Sequence, residues 1–302
     1  MTTEPGMHLP GRDGDPGWGS RGAFDTDWHE ALETRDRRWL AYPAEKPITQ
    51  VELFELVKAK RIEQLLAAYG IRSGRVVEYG CGSAGMSVYL ANRGFESHAI
   101  DVSAKALLVA RLNTQLHHAG GRPTLVRSDA FRMPYSDGMF DVAMSHGLLE
   151  HFESAQLPAL IEEVLRVLRP GGLFVADVVP GIGRLTSRTV GQLANYLASA
   201  LYYLAIGRLA RARGLRAEYF GHLYENTMSD KQWASVLEES GIRSVEVEVC
   251  RPFPPLALSG KLEQVYLGLM IRALPLWRRF DGSNTWWSRR WGWMYLVHGV
   301  RP

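Results

Sequence analysis

The chain is short of cysteine, of lysine and of net charge, and each shortage closes off a class of function. Two cysteines in 302 residues, Cys81 and Cys250, cannot build a disulfide framework or a thiolate metal quartet. A reducing cytosol is the plain expectation. A net charge of +3, from 35 basic and 32 acidic residues, gives no electrostatic case for nucleic acid. Six of the basic residues are lysine and the rest arginine, and no acidic or lysine-rich run suggests an interaction tail. The first residues have no apolar core of the kind a secretory leader carries. Charge is absent altogether from Thr189 to Gly207. That run is of marginal length for a bilayer span, and Gln192, Asn195 and Ser199 interrupt it.

What is present is ordinary globular material, 46% hydrophobic and 22% charged, long enough to bury a substantial core. Residues 1–24 are rich in glycine and proline with little to bury, and read as a disordered tail. Residues 25–46, with Trp28, Trp39 and Tyr42, read as an N-terminal arm, folded either over a site or against the outside of the domain. From 47 to 302 one domain is expected. It opens with a helix from about Thr49 to Tyr69, whose stripe is Val51, Phe54, Leu56, Val57, Ile62, Leu65 and Leu66. Strands at 75–80, 96–101, 123–128, 140–146 and 172–179 then alternate with helices at 86–93, 103–119 and 156–168. Such alternation predicts an α/β fold, a doubly wound Rossmann-like sheet with ligands beyond the carboxyl ends of its strands.

The stretch from Arg75 to Gly85 is the chemical centre of the sequence. An apolar strand stops at Gly80, Gly82 and Gly85, a literal G-x-G-x-x-G, and a helix follows. Alone, that match is weak. Two acids sharpen it. Glu78 stands inside the first strand, where it would oppose a pyrophosphate but suit a ligand carrying an ammonium. Asp101 closes the second strand, where a carboxylate suits a ribose diol.

With an acid, one residue, then Gly-x-Gly, this stretch resembles the first motif of the class I S-adenosylmethionine-dependent methyltransferases, of the small-molecule, type 11-like kind. Asp129-Ala130 with Met133-Pro134-Tyr135, Leu149-Glu150-His151, and Arg169-Pro170-Gly171-Gly172 resemble later segments of that family in order and spacing. The resemblance implies a seven-stranded sheet, mostly parallel, with an antiparallel last strand near Trp293–Pro302. It implies S-adenosylmethionine as cofactor, bound by Glu78, Gly80, Cys81, Gly82, Asp101, Val102, Asp129, Ala130 and Ser145. A methyl at Ala84, where many members carry glycine, is expected to be tolerated. Two other readings stay open: an NAD-type dinucleotide oxidoreductase, and a methyltransferase-like module that binds without catalysis.

Methyl transfer from a sulfonium needs no universal base, since positioning supplies much of the rate. Where a proton must leave, His146, His151 and His222 are the candidates. No metal site is expected. Two insertions, 184–228 and 252–292, lie outside the shared core. The first reads as a lid, an interface between copies or a membrane-surface helix, and the second pairs tryptophans with arginines. Both favour an apolar or amphipathic small molecule as substrate, such as a lipid, quinone or polyketide. A homodimer and a peripheral membrane contact stay open as partners, and a cytoplasmic location is expected, with or without membrane association.

Overall fold

A computed structural model describes residues 28–34, 40, 42–179, 187–210, 213–215, 225–226, 228–250, 256, 258, 260–283 and 285–302. A short helix, α1, covers 28–34, and α2 covers Gln50–Ala68. Thr49 starts α2 because its hydroxyl accepts the Glu52 N–H at 3.1 Å, while the Ile48 N–H donates to the Glu52 carboxylate at 2.7 Å. The core then runs β1 (Arg75–Tyr79), α3 (Gly85–Ala91), β2 (Glu96–Asp101), α4 (Ala104–His117), β3 (Thr124–Arg127), β4 (Phe140–His146), α5 (Leu157–Val167) and β5 (Leu168–Val178). After it come α6 (Ser187–Ala205), α7 (Asp230–Glu239), β6 (Arg243–Cys250), α8 (Gly260–Trp277), α9 (Trp286–Trp291) and β7 (Met294–Val300).

The seven strands form one sheet in the order β3-β2-β1-β4-β5-β7-β6. β7 runs antiparallel to both of its neighbours, and the pairs from β3 to β5 are parallel. The order reverses between β1 and β4, which is where a doubly wound sheet opens a crevice.

Strand alternation sorts the core into two layers. Val77, Tyr79, Ala143, Phe174, Ala176 and Val178 face α5 and Trp233 of α7. Val76, Val142, Met144, Leu173 and Val175 face α2 and α3 through Ile62, Leu65, Leu66, Met86 and Leu90. The same parity puts Glu78, His146 and Asp177 on the α2 side.

Two expectations change. On α2 the buried face is Leu53, Phe54, Lys58, Ala59, Ile62, Leu65 and Leu66, while Val51, Leu56 and Val57 are only half-buried. The helix follows the 54–58–62 row, which carries a lysine. β5 begins at Leu168 rather than 172, because Leu168 pairs with Phe140 across an irregularity in the ladder. Ala84 is left-handed at φ +52°, a conformation that costs a non-glycine residue about 1–2 kcal/mol. It is tolerated in a buried cluster with Cys81, Ala99 and Ala110. Within the arm, Ala31, Leu40 and Val109 form a small core with Trp28, Leu32 and Leu112, which fastens α1 to α4.

Candidate active site

A cavity of about 340 Å³ lies beyond the carboxyl ends of β1, β2 and β4. The glycine turn forms its floor. Gly80 and Gly82 have φ of +64° and +50°, and both are pressed by side chains. A Cβ on Gly80 would sit 2.7 Å from Leu148, and one on Gly82 would sit 2.8 Å from the Trp28 ring. Trp28 thus closes the cavity over the turn, the first of the two placements that the arm left open.

The acids sit where the strands end. Glu78 is buried, and both of its hydrogen bonds go to Oε2, from the Ser87 N–H at 2.9 Å and the Ser87 hydroxyl at 2.5 Å. Burial pushes its carboxyl above the usual range, against the pull of His146, Ser87 and Lys58. Asp101 accepts the Gly82 N–H at 2.9 Å and the Ser103 N–H at 2.8 Å, which pins the turn to β2. Asp129 accepts the Phe131 N–H at 2.9 Å. Cys81, Val102 and Ala130 complete this side of the lining. Burial, together with Asp101 and Glu78, raises the Cys81 thiol well above its ordinary value, so it is not a thiolate nucleophile.

Ser145 falls elsewhere. It is fully buried and takes the opposite parity on β4, away from the cavity. His146 and His151 both line the cavity. His151 belongs to a single 3₁₀ turn, Leu149–His151, clamped from outside by Asn226, whose N–H donates to the Glu150 carbonyl at 2.7 Å. His222, with Tyr219 and Tyr224, lies outside the described residues.

Three residues in or behind the wall escaped the sequence reading. Asp177 stands opposite His146 in the β4–β5 register, and its Oδ2 lies 3.1 Å from His146 Nδ1. Lys58 reaches the same oxygen at 3.0 Å and Glu55 at 2.8 Å. Two signals were present: a lysine one turn from Phe54 and from Ile62 on an otherwise apolar row, and an acid inside the apolar run Leu173–Val178. Among the described residues, the group whose ligand atoms lie close enough for a metal ion is Glu246, Glu248 and His298. It is remote from the cavity, and Glu248 is already paired with Arg61.

A family model described as a methyltransferase domain matches residues 77–176, the span from β1 to β5. A malonyl-[acyl-carrier protein] O-methyltransferase from Enterobacter lignolyticus is 33% identical over 114 residues, 36% of this chain and 42% of that protein. A probable phthiotriol/phenolphthiotriol dimycocerosates methyltransferase 2 from Mycobacterium ulcerans is 36% identical over 109 residues, 35% of this chain and 40% of that protein. Among solved structures, a methyltransferase from Thermotoga maritima, described as a possible histamine N-methyltransferase, has a TM-score of 0.53 at 15% identity, covering 95% of this chain and 100% of that one. At that identity the likeness is of fold. The chain spans less than half the length of the first curated relatives it matches, 44% and 42%. Residues 77–176 thus match a methyltransferase domain, in a chain that shares the fold of S-adenosylmethionine-dependent methyltransferases.

Proposed function

We propose that the protein transfers the methyl group of S-adenosylmethionine to an apolar or amphipathic small molecule. The observation that carries the cofactor reading is a fully buried acid, Glu78, in the wall of a glycine-floored cavity. Burial makes its charged form costly, and an incoming ammonium would relieve that cost. Asp101 would hold the ribose hydroxyls and Asp129 the adenine edge. The backbone of Gly80, Cys81 and Gly82 would approach the cofactor closely, with Val102 and Ala130 bordering it. When bound, the cofactor supplies an already activated methyl group; the chain's residues position it and exclude water.

For the substrate, Phe131, Leu148 and Phe152 give the cavity apolar lining beside His146 and His151. Relatives named for acyl-carrier-protein and dimycocerosate substrates point the same way. An interior acid on β1 and matches to methyltransferases disfavour a dinucleotide oxidoreductase. The leucines of α6 offer a surface for a second copy or a bilayer. Among the described residues no helix is long and apolar enough to cross a membrane. Calorimetric titration with S-adenosylmethionine, S-adenosylhomocysteine and NAD tests the reading. Binding of the first two and not the third is expected, followed by a 14-Da gain in a lipid or natural-product fraction. NAD binding alone, or methylation of nucleic acid alone, would overturn it.

A further inference from the structure

We propose that Asp177 and Lys58 hold His146 as a general base, and that the methyl acceptor is therefore a neutral hydroxyl. The inference rests on the methyltransferase reading and names the class of acceptor.

The geometry is built from three elements on one face of the sheet. His146 ends β4, Asp177 faces it from β5, and Lys58 comes down from α2. Each oxygen of Asp177 is engaged. Oδ1 accepts the Gly147 N–H at 2.6 Å, and Oδ2 lies 3.0 Å from the Lys58 ammonium and 3.1 Å from His146 Nδ1. A carboxylate held by the Lys58 cation and a backbone N–H accepts from Nδ1, so the imidazole proton is placed there and Nε2 keeps its lone pair. That Nε2 is buried with no hydrogen-bond partner among the described residues, on a side chain that is 10% exposed and belongs to the cavity wall. A buried polar atom with no protein partner is costly unless something meets it. Here the free atom borders the space in which the acceptor must lie.

The charged and titratable groups around His146 are Asp177 on β5, Lys58 and Glu55 on α2, Glu78 on β1 and His151 on the 3₁₀ turn. Three carboxyl groups face one ammonium. An ionised carboxylate acceptor would need no base and would meet these acids unfavourably. An ammonium acceptor would be held by them as a cation, with no lone pair to offer. A neutral O–H avoids both penalties. Its oxygen forms the new O–CH₃ bond as the S–CH₃ bond breaks. The sulfonium's electron pair returns to sulfur, giving a thioether, and the hydroxyl proton passes to His146 Nε2. Asp177 stabilises the imidazolium that forms, the role of the buried acid in a hydrolase triad. His146 is then the catalytic residue, and Asp177 and Lys58 are positioning residues.

The test uses the full chain and its His146→Asn, Asp177→Asn and Lys58→Met variants. The probes are decanol, 4-hexylphenol, decanoic acid and decylamine, offered with a methyl-labelled cofactor. Methyl ethers from the hydroxyl probes, falling about 100- to 10,000-fold in His146→Asn and Asp177→Asn, support the proposal if cofactor Kd stays within about threefold. Methylation of only the acid or the amine, or ether formation indifferent to both variants, overturns it. Imidazole ¹⁵N shifts of the ligand-free protein decide the matter if no probe is methylated. An Nδ1-protonated, Nε2-bare His146 that loses this tautomer preference in Asp177→Asn supports the arrangement, and the opposite tautomer overturns it. His146→Asn leaves the Lys58–Asp177 pair intact, so it stays informative if Asp177→Asn does not fold. Failure to bind the cofactor at all would count against the methyltransferase reading, whereas the ¹⁵N result stands independently of it.

Discussion

Glu78→Gln separates the cofactor role of this acid from its structural role. In the ligand-free protein the glutamine oxygen can still accept from the Ser87 N–H and hydroxyl, now 2.9 and 2.5 Å from Oε2. What is lost is a charge that burial disfavours. The carboxyl's folded pKa lies above its ordinary 4.5, so between those two values the folded state holds more protons than the unfolded one. Glu78 therefore lowers stability progressively as pH climbs from 4.5 through the raised value, and above it the cost is complete. The variant should accordingly be as stable as the parent at neutral pH, or more so. Cofactor binding should move the other way. A hydrogen bond to a charged partner contributes about 1.5–3 kcal/mol, which at about 1.4 kcal/mol per decade weakens Kd by roughly 10- to 150-fold. The parent's affinity should rise with pH as Glu78 ionises, and the variant's should be flat. Calorimetry at several pH values, with thermal melts of the ligand-free proteins, reads both. A folded Glu78→Gln protein that binds within threefold of the parent would refute the assignment of Glu78 to the ammonium.

Gly82→Ala should weaken the cofactor at least about tenfold, since its methyl would press on Trp28 at 2.8 Å with φ at +50°, a strain of about 1–2 kcal/mol before any clash. Adding Trp28→Ala should restore part of the loss in the same titration. Removing residues 1–24 should leave cofactor Kd within about twofold, whereas removal through 46 takes away Trp28 and α1 and should weaken it, by calorimetry on both truncations. At Asp141, burial opposes ionisation, but the Arg75 N–H at 2.8 Å and Arg169 at 2.6 Å outweigh it and hold the carboxyl below 3.8. Asp141→Asn should cost about 0.5–1.5 kcal/mol in urea melts at pH 7, allowing for solvent screening. Because the folded pKa is the lower one, that difference should fade as pH drops below 3.8 through it.

The fold was legible because its signals are local. Glycines at 80 and 82 stop β1, Asp101 ends β2, and apolar runs of strand length alternate with amphipathic helices. Each can be read within a window of ten residues. The glycine-turn side of the cavity was legible for the same reason, since it lies along β1, β2 and the turn after β3. The side bordered by α2 and β5 was not. Lys58, Asp177 and Trp28 come from three distant stretches and meet only when the sheet order reverses between β1 and β4. Ser145 shows the complementary error. It is one residue from His146, but in a strand one residue is the other face. The register pairs Glu78 with Met144 and His146 with Asp177, which puts His146 and Asp177 on Glu78's face and Ser145 on the other.

α6 was read as a lid, an interface between copies or a membrane-surface helix, and the fold leaves much of this uncharged, largely apolar helix uncovered. Leu193, Leu197 and Leu204 are each 50% exposed, Leu201 is 67% exposed and Tyr202 is 61% exposed. The absence of charge from Thr189 to Gly207 means that no ionic group holds this helix in water. On α8, Leu262, Val265 and Leu269 also face outward, and Trp286 and Trp287 of α9 do the same. Fully burying one such side chain contributes about 1.5–3 kcal/mol, so covering the open half of the five on α6 is worth roughly 4–8 kcal/mol. Set against the affinity scale, that corresponds to dissociation constants from about millimolar to micromolar before ordering costs. This is the range of a reversible contact with a second copy, a bilayer or a substrate-bearing partner. A face of this size has little to gain from the chain's own core, whose two layers are already filled on both sides of the sheet.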